Sequence, residues 1–148
     1  MSEIVGAPPA YFELRKAVDL KLGVNRAPLL IGFDGAAGVG KSSAASWLAW
    51  QFGMPTIHLD LYVETNSEPL RWRTNDLALA IAARRERPLV VEGILLLDAL
   101  STVARKPDVL VFVEAISFDG GMLDRVCPYL ERTKAREKAD FILRWSGP

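Results

Sequence analysis

Leu29-Leu30-Ile31-Gly32-Phe33-Asp34-Gly35-Ala36-Ala37-Gly38-Val39-Gly40-Lys41-Ser42 is the stretch on which the reading of the fold turns. It opens with an apolar run, Leu29–Phe33, that ends in a Gly-rich loop, the pattern of a short buried strand in a parallel sheet. It closes with Gly-x4-Gly-Lys-Ser. Glycines there let successive amide N–H groups turn inward, and such amides cradle phosphate oxygens. A helix beginning near Lys41 adds its positive end. The expected phosphate-binding residues are Gly35, Ala36, Ala37, Gly38, Val39, Gly40, Lys41, Ser42 and Ser43. Lys41 is expected to reach the β- and γ-phosphates as a catalytic point charge, and the Ser42 hydroxyl to bind Mg²⁺. ATP or another nucleoside triphosphate, with Mg²⁺, is the implied cofactor. Four fixed positions of this kind arise by chance roughly once in two hundred chains of this length.

Outward from the loop, strand and helix patterns alternate. Tyr11, Leu14, Val18 and Leu22 recur at helical spacing, which predicts a helix over Pro9–Leu22 stopped by Gly23. Lys41–Gln51 reads as a helix and Thr56–Leu59 as a second strand. Asp76–Arg85 reads as a helix, and Pro88–Val91 as a third strand ending at Glu92-Gly93. Ile94–Ala104 follows as a helix and Val109–Val113 as a fourth strand. A helix starting at Pro128 or Tyr129 and running to Ala139, then a fifth strand over Phe141–Trp145, complete the chain. Such alternation predicts an α/β fold, a parallel sheet with helices on both faces. Ligands of these sheets sit beyond the carboxyl ends of the strands. Gly35, Asp60, Glu92 and Glu114 all stand there.

The 148 residues suit a single domain over 1–148, with 1–26 as an N-terminal helix and linker. Half of the residues are hydrophobic, and 18 basic residues balance 18 acidic ones. Zero net charge argues against a general nucleic-acid binder. The stretches Arg71–Arg87 and Arg125–Lys138 are basic, which fits either an anionic small molecule or solvated helix faces. Cys127 is the one cysteine, so no internal disulfide forms, and the reducing cytoplasm fits. It reads as a small packed hydrophobe. Met1–Pro9 lacks a leader pattern, and no apolar run reaches the roughly 18 residues of a membrane span. Trp145 and the N-terminal helix suit either core or interface, so a homodimer is a candidate assembly.

Several residues are candidates for chemistry. Glu92 ends the third strand and is the expected second Mg²⁺ partner, or else a cap of the next helix. Asp60 is the expected catalytic base toward an acceptor hydroxyl, or else a loop residue. His58, two residues earlier in a strand, would face the same side and could touch substrate. Asp34, Tyr62 and Arg71 are further substrate candidates. Arg71-Trp72-Arg73 could stack on a base or pair with an anion, or could pack the loop onto the domain through Trp72. Arg125 is the candidate for neutralising the transferred group, with an exposed helix face as the alternative. Glu114 reads as structural. Neither Asn-Lys-x-Asp nor Leu-Ser-Gly-Gly occurs, which argues against a GTPase switch and an ABC-type ATPase.

Phe33-Asp34-Gly35 with the loop, His58-Leu59-Asp60-Leu61-Tyr62, Val90-Val91-Glu92-Gly93-Ile94-Leu95 and Ala139-Asp140-Phe141-Ile142-Leu143 stand in the order seen in uridine kinase-like P-loop kinases. Over roughly residues 28–145 the chain resembles that family. The resemblance implies a three-layer P-loop NTPase fold, a five-stranded parallel sheet with the loop strand at its centre. It implies that Asp60 acts on the acceptor hydroxyl and that Glu92 helps bind Mg²⁺. The implied activity is transfer of the ATP γ-phosphate to a small-molecule hydroxyl, with a nucleoside as the family's acceptor. The chain departs from the pattern after strand four. The family carries an Arg-rich lid there, whereas only Ile116–Ala139 separates strands four and five, and Phe118-Asp119-Gly120-Gly121 holds no arginine. A non-catalytic nucleotide-binding module is therefore the alternative reading.

Overall fold

The computed structural model describes residues 6–146. Residues 1–5, where most of the stretch read as lacking a leader falls, and residues 147–148 lie outside it. Five strands form one parallel sheet in the order β2-β3-β1-β4-β5. They are β1 (Leu30–Asp34), β2 (Thr56–His58), β3 (Leu89–Glu92), β4 (Val109–Ala115) and β5 (Phe141–Trp145). The central β1 is buried along its whole length, as expected for a strand flanked on both edges and covered on both faces.

The helices are α1 (Pro9–Leu22), α2 (Lys41–Phe52), α3 (Thr74–Ala82), α4 (Leu96–Ser101), α5 (Leu123–Thr133) and α6 (Ala135–Lys138). The predicted stripe of α1 is its buried face: Tyr11, Leu14, Val18 and Leu22. Tyr11 packs against Trp47 of α2, with ring centroids 5.2 Å apart, and against Trp145 of β5 at 6.2 Å. Trp145 thus packs inside the chain. The side chains of Phe33, Leu48, Leu77, Leu96 and Leu143 are fully enclosed; each stabilises the fold by about 1.5–3 kcal/mol relative to exposure.

Several predicted boundaries move, three of them with consequences for the site or the packing. The second strand ends at His58, and Leu59–Tyr62 turn into a 3-10 helix, so His58 and Asp60 are not on one face of one strand. The helix after β3 begins at Leu96 rather than Ile94. The last helical stretch begins at Leu123, with Pro128 inside it, and breaks at Lys134, whose φ is +56°. Proline is favoured in a first turn and costly inside a helix. α5 accepts it because its inner face buries Val126 and Tyr129. Cys127 lies on the outer face and is exposed rather than packed. Among the described residues no helix is long and apolar enough to cross a membrane.

Candidate active site

The phosphate loop joins β1 to α2 at the carboxyl end of the sheet. Gly40, immediately before α2, has φ +99°. A side chain there would be strained and would also strike the Trp145 ring lying against it. The Trp145 indole N–H donates to the Val39 carbonyl at 2.8 Å, so β5 braces the loop from beneath. Lys41 is 6% exposed. Its ammonium donates to the Ala36 carbonyl at 2.5 Å. Burial lowers its pKa, while the charges of Glu92, Asp34 and Asp60 act the other way. A buried cation bonded to one loop carbonyl and ringed by carboxylates is poised to take phosphate oxygens.

Ser42, in the first turn of α2, donates its hydroxyl to Glu92 Oε1 at 3.0 Å. Glu92 closes β3 and is 3% exposed. His58 is its direct partner in the parallel ladder, and His58 Nδ1 lies 2.7 Å from the same oxygen. One hydroxyl and one carboxylate suit Mg²⁺, which keeps several waters and takes other oxygens from phosphates. Ser42 and Glu92 therefore fit the ion, with His58 positioning the carboxylate.

Asp60 follows β2 in the 3-10 turn and is exposed. It lines, with Lys41, Ser42 and Glu92, a cleft of about 420 Å³. The far wall of that cleft is a short hairpin in which Val63 and Trp72 pair. Trp72 is 7% exposed, so it packs the loop onto the body. A larger cavity of about 900 Å³ lies at the amino-terminal ends of β4 and β5, beside Arg105, Pro107 and Asp140. It shares no residue with the phosphate loop.

Other candidates lie elsewhere. Asp34 does not reach the cleft. It is 1% exposed, and its carboxylate accepts from the Tyr129 hydroxyl at 2.5 Å and the Gly35 N–H at 2.9 Å. Burial pushes its pKa up to about 6 against those hydrogen bonds. The Tyr129 hydroxyl in turn accepts from the Leu97 N–H, so the pair ties β1, α4 and α5 together. Tyr62 lies under the Arg73 guanidinium, 5.7 Å from its ring centre, and Arg71 pairs with Glu64 at 3.1 Å; neither lines the cleft. Arg125 pairs with Glu68 at 2.5 Å, across from the hairpin. Glu114 accepts two hydrogen bonds from Arg136, which hold its carboxyl below the usual range; this is the structural role expected of it.

The sequence shows Phe118-Asp119-Gly120-Gly121 only as a stretch without the arginines of a lid; it does not show where Ile116–Met122 lies. That segment lies on the phosphate loop, where Ala37 and Gly121 exchange backbone hydrogen bonds at 3.2 and 2.7 Å. Gly120 has φ +92°, and a Cβ there would sit 2.5 Å from Ala36 Cβ. The Gly120-Gly121 pair was the available signal, since adjacent glycines mark close backbone approach.

No known family matches the sequence, and no curated protein matches it. Solved structures do. A possible uridine kinase from Bacillus stearothermophilus superposes with a TM-score of 0.60 at 16% identity, covering 90% of this chain and 97% of that one. A protein from Thermus thermophilus gives 0.43 at 14% identity, over 80% of this chain and 89% of its own. An uncharacterised protein from Eubacterium ventriosum gives 0.41 at 14%, over 78% and 87%. Together with the sheet order and the phosphate loop, the first of these shows that the chain has the uridine kinase-like P-loop fold.

Proposed function

We propose that this protein is a Mg²⁺-dependent kinase that transfers the γ-phosphate of ATP to the hydroxyl of a small acceptor. The observation that carries the reading is the convergence of Lys41, Ser42, Asp60 and Glu92, from three separate segments, on one cleft. Phosphoryl transfer asks mainly for positioning and charge neutralisation. The loop amides and Lys41 hold the phosphate tail. Ser42 and Glu92 would hold Mg²⁺, which would supply charge neutralisation for the transferred group. Asp60 orients the acceptor hydroxyl and takes its proton. A nucleoside acceptor is what the resemblance suggests. The test is ATP-dependent phosphorylation of a panel of hydroxyl compounds. Asp60→Asn is expected to lower kcat by about 10²–10⁴-fold; undiminished transfer by that variant removes Asp60 from the mechanism.

A second reading, a non-catalytic nucleotide-binding module, is favoured by one observation. Ile116–Met122 lies over the loop without an arginine, and Arg125 is engaged by Glu68. Tight nucleotide binding without transfer to any acceptor supports it, and turnover excludes it.

A further inference from the structure

The cleft beside Asp60 is lined by two unlike sets of side chains. Lys41, Ser42, Asp60 and Glu92 are the charged and hydroxyl-bearing set. Leu59, Val63, Leu70, Trp72, Ile94 and Met122 are the large apolar set. The floor is tight, because a Cβ on Gly93 would lie 2.7 Å from Leu59 Cβ. The charged side chains flanking Leu70 and Trp72 in sequence are engaged by partners of their own. Glu64 holds Arg71, Glu68 holds Arg125, and Arg73 donates to the Leu61 carbonyl at 2.5 Å. Among the described residues, none of these lines the cleft.

A nucleobase or a sugar presents several donors and acceptors. Each one buried without a partner costs about 1–3 kcal/mol. A hydrocarbon or aryl body incurs no such cost and gains from leaving water. Sites that recognise polar substrates do so with placed polar groups. Here the polar side chains lining the cleft are Lys41, Ser42, Asp60 and Glu92, all engaged by the reaction itself.

We propose that the acceptor is an alcohol carried on a largely apolar body, seated between Trp72, Leu70 and Met122 with its hydroxyl toward Asp60. This rests on the kinase reading and names its substrate class. In the step, the alcohol oxygen forms a bond to the γ-phosphorus, and its proton passes to the Asp60 carboxylate. The bond from the γ-phosphorus to the β–γ bridging oxygen breaks, and its electron pair leaves with ADP.

The experiment has a binding arm and a transfer arm, run on the full chain. 2-Phenylethanol, geraniol, uridine and cytidine are each titrated while tryptophan emission is followed, with Trp72→Phe identifying the signal that arises in the cleft. The same compounds are then offered with ATP and Mg²⁺, and phosphate monoester is read by phosphorus NMR. The apolar alcohols are expected to give a Trp72-dependent signal and a kcat/KM at least ten-fold above the nucleosides. Leu70→Asp is expected to raise their KM at least ten-fold, and Leu70→Met to restore it. Apolar alcohols that bind at Trp72 but are never phosphorylated support the ligand class and overturn the kinase reading. Nucleosides that bind or react as well as the alcohols overturn the inference and leave the kinase reading standing. Failure of the alcohols to bind while ATP still binds also overturns it.

Discussion

Trp145, the last residue of β5, donates its indole N–H to the carbonyl of Val39 in the phosphate loop, 106 residues away, at 2.8 Å. The same ring fills the space that a side chain on Gly40 would need. The loop therefore inherits its shape from the far edge of the sheet as well as from its own glycines. Trp145→Phe keeps most of the packing but leaves the Val39 carbonyl without that donor. The expected loss is about 1 kcal/mol of stability and several-fold in nucleotide affinity, measured by denaturant titration and calorimetric binding. Unchanged affinity would mean that the loop holds its shape without the brace.

Gly120 is the corresponding contact from above. Alanine there brings Cβ to 2.5 Å from Ala36 Cβ and 2.9 Å from Val39 Cγ1, at a φ of +92°. Strain of about 1–3 kcal/mol is expected to lift Ile116–Met122 from the loop. Amide exchange at Gly121 should accelerate at least ten-fold, since its bond to the Ala37 carbonyl is lost. Retained protection at that amide would argue that the segment tolerates the methyl group.

Asp34 makes stability depend on pH. Its carboxyl binds a proton more tightly folded than unfolded, with a pKa raised from 3.8 to about 6 by burial. Its contribution is full below about pH 4 and is lost as pH rises through about 6. The loss amounts to about 3 kcal/mol. Asp34→Asn removes this slope. Denaturant unfolding at pH 4.5 and 7 should show the wild type losing stability relative to the variant across that interval, and parallel curves would refute the assignment.

Glu92 shares one oxygen between the Ser42 hydroxyl and His58 Nδ1. Glu92→Gln keeps the shape and removes the negative charge. The Mg²⁺ concentration for half-maximal activity is expected to rise about 10–100-fold. His58→Ala, which frees rather than neutralises the carboxylate, should produce a smaller rise. An unaltered Mg²⁺ dependence in Glu92→Gln would place the ion's protein partners elsewhere.

The parts of this chain that were legible in its sequence are those written in contiguous residues. The apolar run before Gly35, the Gly-x4-Gly-Lys-Ser spacing, and the acids placed just after short β patterns each carry their own physical cause. They led to the parallel sheet and to Lys41, Ser42, Asp60 and Glu92, which the structure brings to one cleft. Contacts between distant segments were not legible. The Tyr129 hydroxyl meets Asp34 across 95 residues, and no local pattern announces that a carboxylate beside the loop will be sealed in the core. Arg125 met Glu68 for the same reason: helix faces are readable, but what lies opposite them is not. The start of α5 was misplaced because Pro128 reads locally as a first turn, whereas packing of Val126 and Tyr129 carries the helix through it.

A nucleoside triphosphate held by the Gly35–Ser42 loop underlies every role assigned to the cleft. The most direct test is calorimetric titration of ATP with Mg²⁺ into the wild type and into Lys41→Ala, both checked for folding by circular dichroism. One site per chain is expected in the wild type and at least ten-fold weaker binding in the variant, because a buried ammonium is lost from the phosphate cradle. Absence of binding to the folded wild type, or equal affinity in both proteins, would contradict nucleotide binding at the loop.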